Sequence, residues 1–432
     1  MQDIHRARFI RLSCLSWLLV FFMFSDAYGE DANPKTVESL RGMNYVVVSP
    51  RGPGDGGDFG PNTPNSKTSG IQEALDFAKA NSKDVYIAGG AMPKAFAPGA
   101  SYSLHETLRI SCFQNFRLDG GEYVLQYDQS TGDAIVIDSL MSSRLKFGII
   151  VSQSDGAVVR VRPQTKGPDG FTVVIANTLE FNALVGGGSV YPDHKQAPKG
   201  IGLYLDGSEG PIVSNKIYAT EIIACDKGLY LSCGNSPGKS AAIVDNIIEV
   251  PFAHLCATHL HIGDATPAEI CKNTLLANIN SEGIEGSIGA RIFAKTNLFT
   301  LSFAQTAPNK NIVFEAPALD NQVTVMNFPN GYTNNAEHPT NRIVSVKPIG
   351  FAVPTPDVPP SGTAIVNRNP YTIEVLILSS GSVSGWTLKD ANGTEQTISA
   401  GLSSGQTISL EPGDAIQVEY TKMPAWRWRA VR

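Results

Sequence analysis

"IGLYLD" at residues 201–206 returns, with substitutions, as "KGLYLS" at 227–232, "THLHIG" at 258–263 and "IGARIF" at 288–293. The last shared aliphatic residues, Leu205, Leu231, Ile262 and Ile292, stand 26, 31 and 30 positions apart. Short β-rich runs separated by Gly, Asn, Asp and Pro turns occur in sandwiches, barrels and solenoids alike. A repeat near 30 residues singles out the solenoid, with one coil of a parallel β-helix per period.

A second alignment agrees. Cys225 lies four residues before Leu229, and Cys256 four before Leu260. "NKIYATEIIAC" and "NIIEVPFAHLC" open at Asn215 and Asn246, and "NTLLANI" opens the next coil at Asn273. Upstream, "DAIVID" (133–138) and "AVVRVR" (157–162) read as earlier coils, with Ile137 and Val161 24 apart.

In such a coil alternate side chains enter the core. Leu203, Leu205, Leu229, Leu231, Leu260, Ile262, Ala290 and Ile292 are expected inside, which turns His259 and His261 outward. His261 then shares a column with Tyr204, Tyr230 and Arg291, and Arg160 extends it upstream. With rungs ~4.8 Å apart, this column could span several sugar rings. Cys225 and Cys256 read as small core residues in a ladder, at a separation that also admits a disulfide.

Before the coils, "NYVVVSP" (44–50) reads as a strand and "RGPGDGGDFGPNTPNSKT" as a turn-rich loop. "SGIQEALDFAKA" (69–80) is the one convincing helix. Ser69 and Gln72 suggest a capping box, and Ile71, Ala74, Leu75 and Ala78 form one apolar face, which suits a lid on the solenoid's open end. "DVYIAGG" follows as a strand.

The termini differ from the middle. Arg6, Arg8 and Arg11 precede the apolar run "LSCLSWLLVFFMF", and "AYG" supplies small residues before Glu30, so residues 1–29 read as a secretory signal peptide. The expected location is secreted, periplasmic or extracellular, with no membrane span in the mature chain. Removing the leader takes the formal charge from −6 to −7, since it holds three basic and two acidic residues, and an acidic exported chain is no candidate for nucleic acid. The five remaining cysteines are too sparse for a disulfide scaffold. Residues 30–346 form the expected β-helix domain, 347–362 a Pro-rich linker, and 363–432, with six or seven short strands, a small β-sandwich.

The order of "GDGGDFGP", the helix, "DVYIAGG" and successive coils resembles the pectate-lyase-like superfamily over roughly residues 44–345. That resemblance implies a right-handed parallel β-helix with an N-terminal capping helix, in a superfamily that spans polysaccharide lyases, polygalacturonase-type hydrolases and phage tailspikes. The chain departs from the usual Asp-Asp-Thr stretch with "NSKTSGIQEA", and it has no hydrolase-like Asn-Thr-Asp run and no Gly-His-Gly. By analogy with tailspikes a homotrimer is admissible, although no residue pattern demands one.

The outward column suits a polysaccharide partner. Aromatic rings pack on pyranose faces, and guanidinium groups bind carboxylates by paired hydrogen bonds. In a lyase acting on an acidic glycan by β-elimination, Arg291 or Arg160 neutralises a uronate carboxylate while His261 or Tyr230 moves the proton. Tyr204, Arg160, Asp206 and His259 are the substrate-binding candidates. A glycoside hydrolase would instead need two carboxyl groups, available among Asp206, Glu221, Asp226, Glu249 and Asp264. A non-catalytic glycan-binding or surface structural protein is the remaining class, because exposed Tyr, His and Arg also occupy strands without catalytic duty. His259 and His261 with His254 or Asp264 lack a third ligand at reliable spacing, so no metal site is assigned. No cofactor is required by the sequence, and a divalent cation is compatible with it. Asp193, His194 and Lys195 in the insertion between coils, and Lys239, are further polar candidates.

Overall fold

The computed structural model describes residue 40 and residues 42–89, 102–120, 123–167, 170, 172–188, 196–234, 240–304, 308–327, 330–345 and 353–431. The expected leader, and Asp193, His194, Lys195 and Lys239, lie outside the described residues.

Residues Tyr45 to Ser345 wind through two parallel 13-stranded sheets, here called sheets A and B. Sheet A runs from Tyr45–Val48 to Arg342–Ser345. Sheet B forks at Ile135–Met141. One ribbon continues through Ala157–Val161, Ile201–Asp206, Lys227–Ser232, Thr258–Ile262 and Ile288–Ile292, and the other through Val174–Ile175, Pro211–Val213, Ala242–Val244 and Glu269–Cys271. From Ala157 to Asn280 each coil thus supplies one strand to each ribbon of sheet B and one to sheet A. This is a right-handed parallel β-helix, the architecture that the repeat required.

Register follows the apolar pattern. Leu203 pairs with Leu229, Leu229 with Leu260 and Leu260 with Ala290, all buried in one continuous core. A slip of one residue would turn that whole set to solvent, so burial pins the register. The tyrosine, histidine and arginine between these residues are carried outward by the same alternation.

The corner into sheet A is built by asparagine. Asn177, Asn215, Asn246, Asn273, Asn297, Asn321 and Asn341 are buried, and each amide donates to the side-chain oxygen of the next, at 2.8–3.4 Å. The residue before each of the first six has a left-handed backbone: Ala176, Ser214, Asp245, Lys272, Thr296 and Asp320 have φ of 53–57°. That conformation costs non-glycine residues about 1–2 kcal/mol each. The ladder holds the turn by filling backbone acceptors on both sides; Asn273 Nδ2, for example, also donates to the carbonyls of Ile243 and Cys271.

The helix, α1 (Ile71–Asn81), buries Ile71, Ala74, Leu75 and Ala78 at the amino end of the core. The expected capping box does not form. Gly70 is the N-cap, with φ 83°, and the Ser69 hydroxyl donates instead to the carbonyl of Ser103. Thr68 takes over, its hydroxyl accepting the Gln72 N–H, while the Gln72 side chain reaches the backbone of Arg109. Docking against the next strand competes with the local cap and wins, because it satisfies Arg109 and Ser103 as well.

After residue 363 the strands turn antiparallel, forming a four-stranded and a three-stranded sheet. Ile373, Val375, Ile377, Trp386, Trp426 and Trp428 fill the space between them. The described part of the Pro-rich stretch lies against this unit: Trp426 Nε1 donates to the carbonyl of Pro356 and the Tyr420 hydroxyl to that of Pro359, both at 2.9 Å. Tyr332 of the last coil meets Tyr371 edge-to-face at 5.8 Å, and Arg342 pairs with Glu411 at 3.3 Å. Among the described residues, no helix is long and apolar enough to cross a membrane.

Candidate functional site

The register brings five candidates together on the outside of sheet B. Arg160 pairs with Tyr204, Tyr204 with Tyr230, Tyr230 with His261 and His261 with Arg291. The guanidinium of Arg160 lies over the Tyr204 ring, 4.7 Å from its centroid. Tyr204 stacks on Tyr230 at 4.7 Å with planes 17° apart, Tyr230 meets His261 edge-on at 4.9 Å, and His261 stacks on Phe293 at 5.4 Å. Tyr204 and Tyr230, and likewise His261 and Phe293, therefore turn ring faces toward each other, while Tyr230 and His261 meet at an edge. Ring edges and hydroxyls are what the surface presents, a different geometry from the flat aromatic platforms expected from the sequence.

The two ends of the column are not equivalent. Arg160 is held by Asp206 at 2.6 Å and Asp133 at 3.2 Å. Burial pulls its basicity down, but these carboxylates outweigh it and raise it. Arg291 is freer: its Nε lies 3.1 Å from Glu315 without hydrogen-bond alignment, and its side chain is 37% exposed. Of the two column arginines, Arg291 is the more accessible to a bound carboxylate, although Glu315 already faces its Nε.

His261 is 9% exposed. Burial, then the positive charges of Lys227 and Arg291, lower its pKa to about 4, against a partial counter-effect from Asp264. At neutral pH the ring is an uncharged base, with Nε2 4.0 Å from Asp264. Tyr230 donates its hydroxyl to Asp264 at 2.6 Å, and Ser232 donates to the other oxygen. Burial and this carboxylate raise the Tyr230 pKa, so the phenol keeps its proton. Lys227 Nζ lies 4.1 Å from the centroid of that ring.

Two expected substrate contacts fail. His259 is completely buried, not outward, with Nδ1 3.0 Å from the Ile288 carbonyl and Nε2 3.3 Å from that of Asn280. Alternation does not reach it because the strand is still leaving its corner there. The equivalent positions are Val158, Gly202, Gly228 and Gly289, and a Cβ on the glycines would strike Ile222, Cys256 and Phe303 in the interior. Gly228 and Gly289 leave the room that the imidazole fills, and burial lowers its pKa to about 4. Asp206 is 2% exposed, bound by Arg160, 3.4 Å from Arg162 Nε, and accepting the Ser208 N–H. Its lone pairs serve the protein.

The other carboxyl candidates do not converge. Glu221 binds His254 Nε2 at 2.6 Å, with Glu282 3.4 Å from Nδ1. Burial lowers the His254 pKa, but the two carboxylates overcome that and push it up to about 9. Glu249 is exposed on sheet A. Cys225 and Cys256 are buried, free and stacked, and among the described residues no three His, Cys, Asp or Glu groups are placed to hold a metal ion. Lys227, Ser232 and Phe293 were missed; Lys227 and Ser232 are the two ends of "KGLYLS", and Phe293 is the last residue of "IGARIF".

No protein-family model matches the chain, and no curated protein matches it. Among solved structures, the similar chains include two phage tailspikes. The Acinetobacter phage vB_ApiP_P1 tailspike protein is 8% identical, with 85% of each chain covered and a TM-score of 0.27. A tailspike protein mutant of E. coli bacteriophage HK620 is 10% identical, covering 86% of this chain and 89% of that one, with a TM-score of 0.18. Superpositions this loose say nothing of activity, which rests on the chain's own residues.

Proposed function

We propose that the chain is an exported glycan-active protein that binds an acidic polysaccharide along the outer face of sheet B and cleaves it by β-elimination. The observation that carries this reading is the adjacency of a neutral, buried imidazole, His261, to the partly exposed guanidinium of Arg291 on the next rung. Arg291 pairs with a uronate carboxylate and stabilises charge as the carbon beside it loses its proton. His261 accepts that proton, the electron pair forms a carbon–carbon double bond, and the bond to the leaving glycosidic oxygen breaks. Tyr230, kept protonated, supplies a proton to that oxygen and is reprotonated from His261. Hydrolysis is less well served, since it needs two free carboxyl groups and Asp206 is committed to arginines.

Binding without turnover is favoured by one specific observation: the Tyr230 hydroxyl and Arg160 already have partners in Asp264 and Asp206. The separating experiment incubates purified protein with acidic and neutral polysaccharides and records unsaturated products, new reducing ends and binding together. Ultraviolet-absorbing products lost in His261→Ala and Arg291→Ala support elimination. Reducing ends without absorbance would replace it by hydrolysis, and binding without either would leave recognition alone.

A further inference from the structure

A cavity of about 230 Å³ opens past the carboxyl ends of the strands that carry His261 and Arg291. Its walls are the turn from Gly263 to Ile270 and the segment Phe293 to Lys295, closed by Pro317. Phe293 stacks one face on His261 and lines this cavity with its remaining surface, so the two sites share a side chain. Pro267, Ala268, Ala294 and Pro317 add apolar wall, while Asp264, Thr266, Glu269 and Lys295 supply polar atoms.

Size and charge narrow the occupant. Drug-sized ligands fill roughly 300–1,000 Å³, so this space takes a single ring. Asp264 and Glu269 are acidic and Lys295 is the one cation in the lining, already 3.2 Å from Glu269. A uronate carboxylate would face a wall of net negative charge, which repels it. Carboxylates accept hydrogen bonds from hydroxyls, an ammonium donates them, and ring and proline surfaces cover an apolar face. These are the contacts of an uncharged pyranose.

We infer that this cavity is a subsite for one neutral sugar ring, a hexose or N-acetylhexosamine, of the glycan held along the column. The inference rests on the glycan reading above and sharpens it: the polymer is mixed, with an anionic residue at Arg291 and a neutral one beside it.

The test uses the full chain in two assays. Saturation-transfer NMR with glucose, N-acetylglucosamine, galactose and N-acetylgalactosamine measures the cavity alone, with glucuronate and galacturonate as charged comparisons. At least one neutral sugar is expected to give a signal fivefold or more above either uronate. That signal should vanish in Ala268→Trp, which fills the space, and fall at least threefold in Thr266→Val, which leaves the fold untouched. Equal signals from uronates, or none from neutral sugars, would overturn the inference. In the second assay, a polysaccharide from the screen should bind Ala268→Trp about tenfold more weakly. Unchanged affinity there overturns the subsite while the glycan reading stands, and a panel that binds nothing overturns both.

Discussion

His261 stacks on Phe293 with ring centroids 5.4 Å apart and planes 20° apart, and this contact is part of what keeps the imidazole out of water. Because burial is the largest cause of its depressed pKa, Phe293→Ala should move that pKa from about 4 toward the ordinary 6.5, by more than one unit. An NMR titration of the His261 ring reads this directly. If elimination is the reaction, the acid limb of the pH–rate profile moves up with it. A ring still titrating near pH 4 would assign the depression to Lys227 and Arg291, and Lys227→Met would then produce the rise.

Asp206 and Arg291 should separate stability from function. Asp206→Asn strips Arg160 and Arg162 of a shared, almost fully buried carboxylate. Breaking a buried pair costs roughly 3–5 kcal/mol, and the remaining Asp133 contact brings the expectation to about 2 kcal/mol. Arg291→Ala removes a half-exposed contact and should cost under about 1 kcal/mol while abolishing glycan binding. Urea unfolding and a binding assay on both variants check the contrast. Arg291→Ala with wild-type affinity would remove Arg291 from the site.

Coil, register and outward column were legible because a repeat of apolar pairs fixes which residues share a rung, and register converts that directly into neighbours. What the pattern could not give was the behaviour of residues at corners. His259 looks outward by alternation, yet its aligned positions are Gly202, Gly228 and Gly289, and three glycines in one column mark a position that faces the interior. Asp206 looked like a substrate ligand because the partners that consume it, Arg160 and Arg162, lie 46 and 44 residues away in sequence and meet it only through stacking. Ser69 departs from the local pattern for the same reason: tertiary docking to Ser103 outweighs a local cap. The asparagine ladder is visible in the sequence only at Asn215, Asn246 and Asn273, each of which opens a run that aligns with its neighbour's.

Asn273 sits at the centre of that ladder, completely buried. Its amide serves two carbonyls and Asn297, and its oxygen receives the backbone and side-chain N–H groups of Asn246. Asn273→Ala orphans several of these at once, and each unsatisfied buried group costs about 1–3 kcal/mol. The expected loss is about 3 kcal/mol, larger than for Asn341→Ala, whose amide serves the carbonyl of Ala318 and whose oxygen closes the ladder's end. Urea midpoints of the two variants test the order. Equal losses would mean that each rung is independent and the ladder adds nothing beyond its local bonds.

Three histidines set the pH range of stability in opposite directions. His259 and His261 have folded pKa values near 4, below the ordinary 6.5, so between these values the unfolded chain binds more protons. Their contribution is intact above pH 6.5 and declines as pH falls toward 4, by an amount on the order of 3 kcal/mol for each buried ring. His254 is the reverse case. Its folded pKa, near 9, exceeds the unfolded value, so the Glu221 and Glu282 contacts stabilise fully below pH 6.5 and are lost as pH rises through 9. Stability should therefore peak close to pH 6.5 and fall on both sides. His259→Gln keeps a donor for the Ile288 carbonyl without a titrating group, and should remove about half of the acid-side loss, leaving the His261 share and the alkaline side unchanged. His254→Gln should flatten the alkaline side only. Melting curves from pH 4 to 10 decide it: an acid slope as steep in His259→Gln as in the wild type would mean that this buried ring contributes nothing to acid unfolding.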